Sequence, residues 1–195
     1  MERKLTAILA ADVAGYSRLM QLDEEGAALN ALRSHREVVY GVIGDHRGRL
    51  FRATIDGIVA EFSSAIAAIN CAVDFQQELA ERNESRSRDR RLEFRVGLNI
   101  GEVIVEHPSV YGAGLELASY LQGVAEPGGI CAARNVYVEV RHKVGVTFEA
   151  LGRHRFKDIA EPVLVYRVLV DSTGATSRMS KWLHGIKHHS WGRLR

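Results

Sequence analysis

The sequence predicts an α+β fold in which helices cover a mainly antiparallel sheet. Two observations lead to this expectation: short apolar runs alternate with longer stretches of helical periodicity, and an Asp-Gly pair separates two of the runs, which is a strong hairpin signal. The resulting order of elements, βα(α)ββαββαβαββ, is typical of such a fold. With 195 residues, 46% of them hydrophobic, the chain is long enough for one domain with a sizeable core. We expect that domain over residues 1–170 and a basic, tryptophan-containing extension over residues 171–195.

The first part of the chain predicts a strand, helices and a hairpin. Residues 5–11 form an apolar run that is too short for a typical helix, so we expect a buried strand. Apolar residues recur at helical spacing over residues 17–31 and again over residues 38–43. The β-like runs LFRAT and IVAEF flank the Asp-Gly pair and predict a hairpin over residues 50–62.

The second part predicts further strands and helices around an exposed loop. Ser63 is expected to cap a helix that ends near residue 81, and the charge-dense residues 82–91 are expected to form the loop. The remaining elements are expected to be strands over residues 92–100 and 103–106 around Gly101, a helix over 115–124, a strand over 130–132, a short helix from Arg134, and strands over 146–151 and 163–170.

The formal charge of +2 is unevenly distributed. Residues 172–195 contain five Lys or Arg and no acid, whereas residues 1–171 contain 21 basic and 24 acidic residues. The acidic body gives little reason to expect specific nucleic-acid binding, although the tail alone would bind polyanions weakly. The tail also holds Trp182, Leu183, Ile186, Trp191 and Leu194. Three interpretations stay open for it: a basic helix on a membrane surface, packing against its own dimer, or disorder.

The cysteines and the N-terminus indicate a cytoplasmic protein, at most associated with a membrane through its tail. Cys71 and Cys131 form neither a disulfide framework nor a metal-spaced cluster, and are expected to be core thiols of a reducing compartment. No apolar run reaches the roughly 18 residues of a membrane span. The N-terminal MERK leads into a strand-like segment and not into a signal peptide.

Two aspartates are the candidate metal ligands. Asp12 ends the first predicted strand and Asp56 lies at the tip of the predicted hairpin, so both carboxylates meet at one sheet edge if the strands are neighbours. Two such oxygen ligands could hold Mg²⁺ with phosphates completing its coordination. Residues 15–17, Gly-Tyr-Ser, lead into a helix N-terminus, which favours a phosphate. The alternative is that Asp12 and Ser17 are helix caps and Asp56 is a turn residue.

Five blocks of sequence, in order, resemble the class III adenylate/guanylate cyclase catalytic domain of the bacterial type. They are ILAADVAGYSRLM, HRGRLFRATIDGIVAEF, RVGLNIGEVIVE, VYGAGLELASYLQGVAEPGGICAA and FKDIAEPVLVYRV, and they extend over residues 5–170. The resemblance implies a ferredoxin-like βαββαβ core with extra strands, the nucleotidyl cyclase fold. It also implies head-to-tail dimers with active sites at the interface, where two Mg²⁺ or Mn²⁺ ions help convert ATP or GTP to a cyclic nucleotide and pyrophosphate. Asp12 and Asp56 match the metal-binding aspartates, and Val13 matches the position that adds a backbone carbonyl.

The positions that complete the site depart from the family pattern. Arg52 stands where adenylate cyclases have a Lys that reads adenine, and Ala113 stands where an Asp or Thr accepts from the adenine amino group. Glu116 replaces an Asn that orients the ribose, and Tyr120 replaces an Arg that stabilises charge on the α-phosphate. Loss of one such donor typically costs about 10²- to 10³-fold in rate. The resemblance therefore implies a degenerate site, weak or inactive as a homodimer.

Two further positions bear on the site. Ile55 replaces a Gly before the second aspartate, and would be strained if that position needs positive φ. Lys157 matches a family lysine that contacts phosphates, but a surface lysine fits equally well.

Three functional interpretations stay open. The chain could contribute a metal half-site to a heterodimer with a complementary cyclase chain, or it could be a catalytically dead module for nucleotide or metal binding or for dimerisation. Slow residual cyclase activity with altered base choice is the third. Family resemblance favours an enzyme, whereas the residue chemistry favours inactivity of the isolated chain.

Overall fold

The computed structural model describes residues 2–21, 26–106 and 109–170, and confirms the predicted α+β fold with a mainly antiparallel sheet. The expectations for the extension over residues 171–195 lie outside the described residues. The strands are β1 (Glu2–Val13), β2 (Arg49–Ala53), β3 (Gly57–Phe62), β4 (Phe94–Glu106), β5 (Ser109–Tyr111), β6 (Ile130–Ala133), β7 (Thr147–His154) and β8 (Val163–Leu169). The helices are α1 (Tyr16–Gln21), α2 (Ala27–Asp45), α3 (Ala65–Asn83), α4 (Ala113–Val124) and α5 (Arg134–Val140), with a 3-10 turn at Arg88–Arg90.

One sheet of order β2-β3-β1-β4-β6-β8-β7 organises the domain, and β5 pairs with β4 outside this path. The first four main strands have the order and the intervening helices of a ferredoxin-like βαββαβ unit. All strand pairs are antiparallel except β4 with β6.

Alternating residues of β1 divide between two cores, one on each face of the sheet. Leu9 and its odd-numbered neighbours pack in a large cluster that includes buried residues of α2, α3 and α5. Ile8 and Ala10 face the other way, where they join Leu115 and Ala118 of α4. Asp12 has the same parity as Ala10, so the period-two alternation of a strand places it on the face that α4 covers.

The prediction of two strands on either side of Gly101 is wrong. Strand β4 is one continuous strand, and the hairpin partner is β5. Gly101 is needed for a close approach and not for a turn, because a Cβ at this position would lie 2.5 Å from the Cα of Gly114 in α4.

The helix boundaries also differ from the expected ones. The pattern over residues 17–31 belongs to two helices, and α2 begins after Gly26, whose φ of 70° breaks the helical path. Ser64, not Ser63, caps α3 by accepting a hydrogen bond from the Ala67 amide at 3.2 Å. Helix α4 begins two residues earlier than predicted, at Ala113.

Buried polar side chains tie α3 to the strand that follows it. Gln76 donates to the carbonyl oxygens of Phe94 at 2.8 Å and Gly129 at 3.1 Å. Asn83 bonds both the carbonyl and the amide of Leu92 and so fixes the end of the otherwise exposed loop.

Both cysteines are buried and free, as predicted for core thiols. Burial raises the pKa of Cys71 to about 12 and that of Cys131 to about 11, so both thiols stay protonated and unreactive at neutral pH. Within the described parts of the chain, no helix combines the length and apolarity needed to cross a membrane.

Candidate functional site

The two candidate metal ligands lie at one end of the sheet, Asp12 near the end of β1 and Asp56 in the turn just before β3. Asp12 opposes Gly57 in the antiparallel pairing of β1 with β3, and the Val13 amide donates to the carbonyl oxygen of Asp56 at 2.8 Å. The side chains of Asp12 and Asp56 are both partly exposed. The sequence analysis expected the two carboxylates to meet at one sheet edge if the strands beside them were neighbours, and β1 and β3 are neighbours.

Asp12 already binds a cation from its own chain. Arg95 of β4, directly opposite Asp12 in the register, donates from Nε to Oδ1 at 2.9 Å and from Nη2 to Oδ2 at 2.5 Å. Asp56 instead accepts a hydrogen bond from the Thr54 hydroxyl at 2.9 Å. The sequence analysis missed Arg95, because only the strand pairing brings it to Asp12 across 83 residues of chain.

The chemistry of this edge fits a hard divalent cation. The carboxylate oxygens of Asp12 and Asp56 are donors of the kind that Mg²⁺ and Mn²⁺ prefer, and the guanidinium of Arg95 shows that Asp12 can hold a positive charge. No group of three or more His, Cys, Asp or Glu with metal-binding geometry occurs among residues 2–21, 26–106 and 109–170. Among the described residues this edge therefore offers the carboxylates of Asp12 and Asp56, to which backbone, water or substrate oxygens could add.

Ile55 does not strain the hairpin. Among the described non-glycine residues, positive φ angles occur at Arg47 and Asp158 only. Ile55 therefore adopts an ordinary conformation, and its exposed side chain marks the tip beside Asp56.

Three of the four residues that the sequence analysis expected to depart from the family pattern line one pocket of about 290 Å³. Arg52 of β2 lines this pocket together with Glu116 and Tyr120 of α4. Val110, Tyr111, Gly112, Leu115 and Ser119 complete the lining. Ala113 is exposed at the start of α4 and is not among the lining residues, so the pocket brings together three of the four substituted positions.

Both tyrosines of the pocket are held in the neutral form. Partial burial and, to smaller extents, the carboxylates of Asp158 and Glu116 raise the pKa of Tyr120. The pKa of Tyr111 is raised mainly by its hydrogen bond to Glu106, at 2.5 Å. The Tyr120 phenol therefore offers a neutral hydrogen bond donor at physiological pH and no positive charge.

The segment that carries Lys157 is anchored beside the pocket. The Phe156 ring stacks on Tyr120 with centroids 5.4 Å apart, and the negative charge of Asp158 contributes to raising the pKa of Tyr120. Lys157 between them is exposed. This placement is compatible with a contact to a ligand in the pocket and equally with a surface role.

The candidate phosphate-binding segment forms a tight turn. Gly15 has a φ of 67°, and α1 begins at Tyr16, with the Leu19 amide bonding the Gly15 carbonyl oxygen at 3.1 Å. Ser17 is exposed in the first turn of this six-residue helix.

The chain resembles known nucleotide cyclases over most of its length. Over 85% of its length, it is 37% identical to a Rhizobium meliloti protein named "Putative adenylate cyclase 3". The matched region is 28% of that longer protein. It superposes on the adenylate/guanylate cyclase/hydrolase from Silicibacter pomeroyi with a TM-score of 0.80, at 36% identity, covering 88% of this chain and 100% of that one. The adenylyl cyclase CyaB from P. aeruginosa has the same fold, with a TM-score of 0.75 at 19% identity over 86% of this chain and 95% of its own. No family model matches the sequence.

Proposed function

The chain belongs to the class III adenylate/guanylate cyclase family, and we propose that it is a member that keeps the metal-binding half of the active site and has lost the other half. In this proposal Asp12, Val13 and Asp56 hold the metal ions. Residues that read the base and stabilise the transition state would come from a partner chain. The isolated chain is then weak or inactive as a homodimer.

The observation that carries the proposal is the convergence of Arg52, Glu116 and Tyr120 in one pocket. The substituted positions are thus not scattered surface changes, because they face the same space. A carboxylate there repels a polyphosphate, and a neutral phenol cannot neutralise the charge that develops on a phosphate. The pocket therefore disfavours both the binding of a nucleoside triphosphate and the catalysis of its cyclisation.

The positions of Asp12 and Asp56 support the proposal that the metal-binding half of the active site is retained. Asp12 of β1 and Asp56 in the turn before β3 are neighbours at one end of the sheet, but neither lines the pocket that holds Glu116 and Tyr120. This separation is expected when each complete site takes its two halves from different protomers. Bound there, Mg²⁺ or Mn²⁺ would activate the ribose 3′-oxygen and neutralise the phosphates.

The substrate in a mixed dimer would be ATP or GTP. In the working site, Gly15, Tyr16 and Ser17 would approach the phosphates from the end of β1, and the partner chain would read the base. In the other interface site, which the pocket of this chain would line, Arg52 would face the base from the position of the family's lysine and Ala113 would leave one base donor unmet. Lys157 would approach the phosphates of that second site from the loop beside Tyr120.

A direct assay tests the proposed inactivity. Purified chain with ATP or GTP and Mn²⁺ or Mg²⁺ is expected to form little or no cyclic nucleotide. Turnover at about 1 s⁻¹ or faster, the range of ordinary enzymes, would refute the proposal.

The second candidate is a catalytically dead module that binds nucleotide or metal, or only dimerises. It is favoured by the same pocket, which has room for a ligand but lacks the arginine of the family. Thermal denaturation with Mn²⁺ and nucleotide distinguishes a module that binds these ligands from one that only dimerises. A ligand that binds only the native state must raise the melting temperature. No shift at saturating ligand would leave dimerisation alone.

A further inference from the structure

The ion pair between Arg95 and Asp12 involves both oxygens of the carboxylate. Arg95 donates from Nε and Nη2 to Oδ1 and Oδ2, and the two side chains are only 30% and 26% exposed. Such a two-pronged contact between arginine and a carboxylate is among the stronger hydrogen-bonded pairs in proteins. In the described structure Asp12 is thus already neutralised by a cation, whereas the partner of Asp56 is the uncharged Thr54 hydroxyl.

The fold does not need this ion pair to set the strand register. Twelve residue pairs, from Glu2 with Val105 to Val13 with Phe94, already join β1 to β4. Since the ladder fixes the strands by itself, the ion pair acts on the charge and availability of Asp12 and not on the register.

A divalent ion bound to Asp12 would meet the guanidinium at close range. The two cations repel each other in a partly buried site where solvent screens them incompletely. We propose that Arg95 is a built-in counter-cation of Asp12 that a metal ion must displace, so that this residue lowers the metal affinity of the domain. The inference rests on the proposed function, because it takes Asp12 to be a metal ligand.

Mn²⁺ binding without nucleotide tests the proposal directly. Free Mn²⁺ would be titrated by electron paramagnetic resonance against the purified chain, the Arg95→Met variant and the Arg95→Lys variant. We expect Arg95→Met to tighten Mn²⁺ binding about tenfold, since the metal no longer breaks a charge-assisted pair. Arg95→Lys keeps the charge but loses the fork, so a smaller gain is expected.

Two controls isolate the effect. Arg91→Met removes a charge from an exposed side chain just before β4, and is expected to leave Mn²⁺ binding unchanged. Asp12→Asn is expected to abolish the gain when it is added to Arg95→Met, and to abolish Mn²⁺ binding when it is made alone. Circular dichroism of each variant establishes that the fold is kept, and Arg95→Lys carries the test if Arg95→Met does not fold.

The outcomes separate this inference from the proposed function. Unchanged or weaker Mn²⁺ binding in both Arg95 variants would overturn the proposed counter-cation role of Arg95. If Asp12→Asn nevertheless abolished Mn²⁺ binding, the proposal that Asp12 is a metal ligand would stand. Failure of every variant to bind Mn²⁺ would overturn both.

Discussion

At the scale of single residues, the chemistry of the pocket depends on two side chains of α4. Glu116 and Tyr120 are four positions apart, one helical turn, and so face the same space. Burial and two carboxylates keep the Tyr120 phenol protonated, which leaves Arg52 as the cationic side chain of the pocket lining. The difference between this pocket and a catalytic one is therefore local and open to reversal.

Reversal of both substitutions is expected to create activity. In the Glu116→Asn, Tyr120→Arg double variant, a donor again faces the developing charge and the repelling acid is gone. Cyclic nucleotide formation should rise about 10²- to 10³-fold over the Glu116→Asn, Tyr120→Phe control, which lacks only the guanidinium. Equal rates in the two variants, both folded, would contradict the assigned roles.

His35 is a second residue whose environment has a measurable consequence. His35 belongs to α2 and is only 2% exposed. Its Nδ1 forms a hydrogen bond with the Ala31 carbonyl oxygen at 2.8 Å. Its Nε2 is the one buried side-chain polar atom without a hydrogen-bond partner among the described residues. Burial lowers the pKa of His35 below its ordinary 6.5, and the charges of Arg86 and Arg82 lower it further. The native state thus holds this imidazole neutral.

The depressed pKa predicts a loss of stability in mild acid. Below pH 6.5 the unfolded chain takes up a proton that native His35 resists, so stability is complete above this pH and falls as the pH decreases. The slope for one proton is at most about 1.4 kcal/mol per pH unit. Urea unfolding at pH 7.5, 6.5 and 5.5 should show a smaller decline for His35→Leu. Substitution of the exposed His142 by Gln should leave the decline unchanged.

At the scale of elements, α4 lies unusually close to β4. A Cβ on Gly97 would come within 2.0 Å of the Ala118 carbonyl oxygen, and a Cβ on Gly114 within 2.6 Å of the Glu102 carbonyl oxygen. Glycines on both elements thus permit backbone contact. Because α4 carries Glu116 and Tyr120, this contact fixes the helix that positions two side chains of the pocket.

Gly97→Ala is expected to destabilise the domain by about 1–3 kcal/mol, since backbone atoms must move to admit a methyl group. Gly123→Ala is the matched control, because this position of α4 faces open space. Its expected effect is a gain of up to about 1 kcal/mol from helix propensity. Chemical denaturation of the two variants measures the difference, and equal stabilities would contradict the close packing.

At the scale of the whole molecule, the two halves of the proposed site belong to different parts of the sheet. The pairing of β1 with β3 brings the two aspartates together, whereas residues of β2, β5 and α4 line the pocket. A mixed dimer could therefore use one half of this chain and ignore the other.

This division predicts one-sided rescue in mixed dimers. An active relative whose two metal-binding aspartates are changed to Ala should regain cyclase activity when it dimerises with this chain. Asp12→Ala in this chain should remove the rescue, whereas Glu116→Ala should leave it unchanged. Absence of rescue in demonstrated mixed dimers would count against the heterodimer, and equal sensitivity to both substitutions would contradict the division.

The sequence by itself determined the fold class, and it pointed to Arg52, Ala113, Glu116 and Tyr120 as the positions where a departure from the family is expected. Periodicity gave most elements, because the alternation of β1 and the apolar face of α3 are local properties of the chain. Local patterns failed at Gly101, where the need for glycine comes from a helix that is distant along the chain.

Only the tertiary structure decided which residues meet. Arg95 reaches Asp12 through strand register, and Arg52 joins Glu116 and Tyr120 through the packing of α4 against the sheet. Such contacts join residues tens of positions apart, and no local pattern records them, because they depend on how the strands and helices pack together.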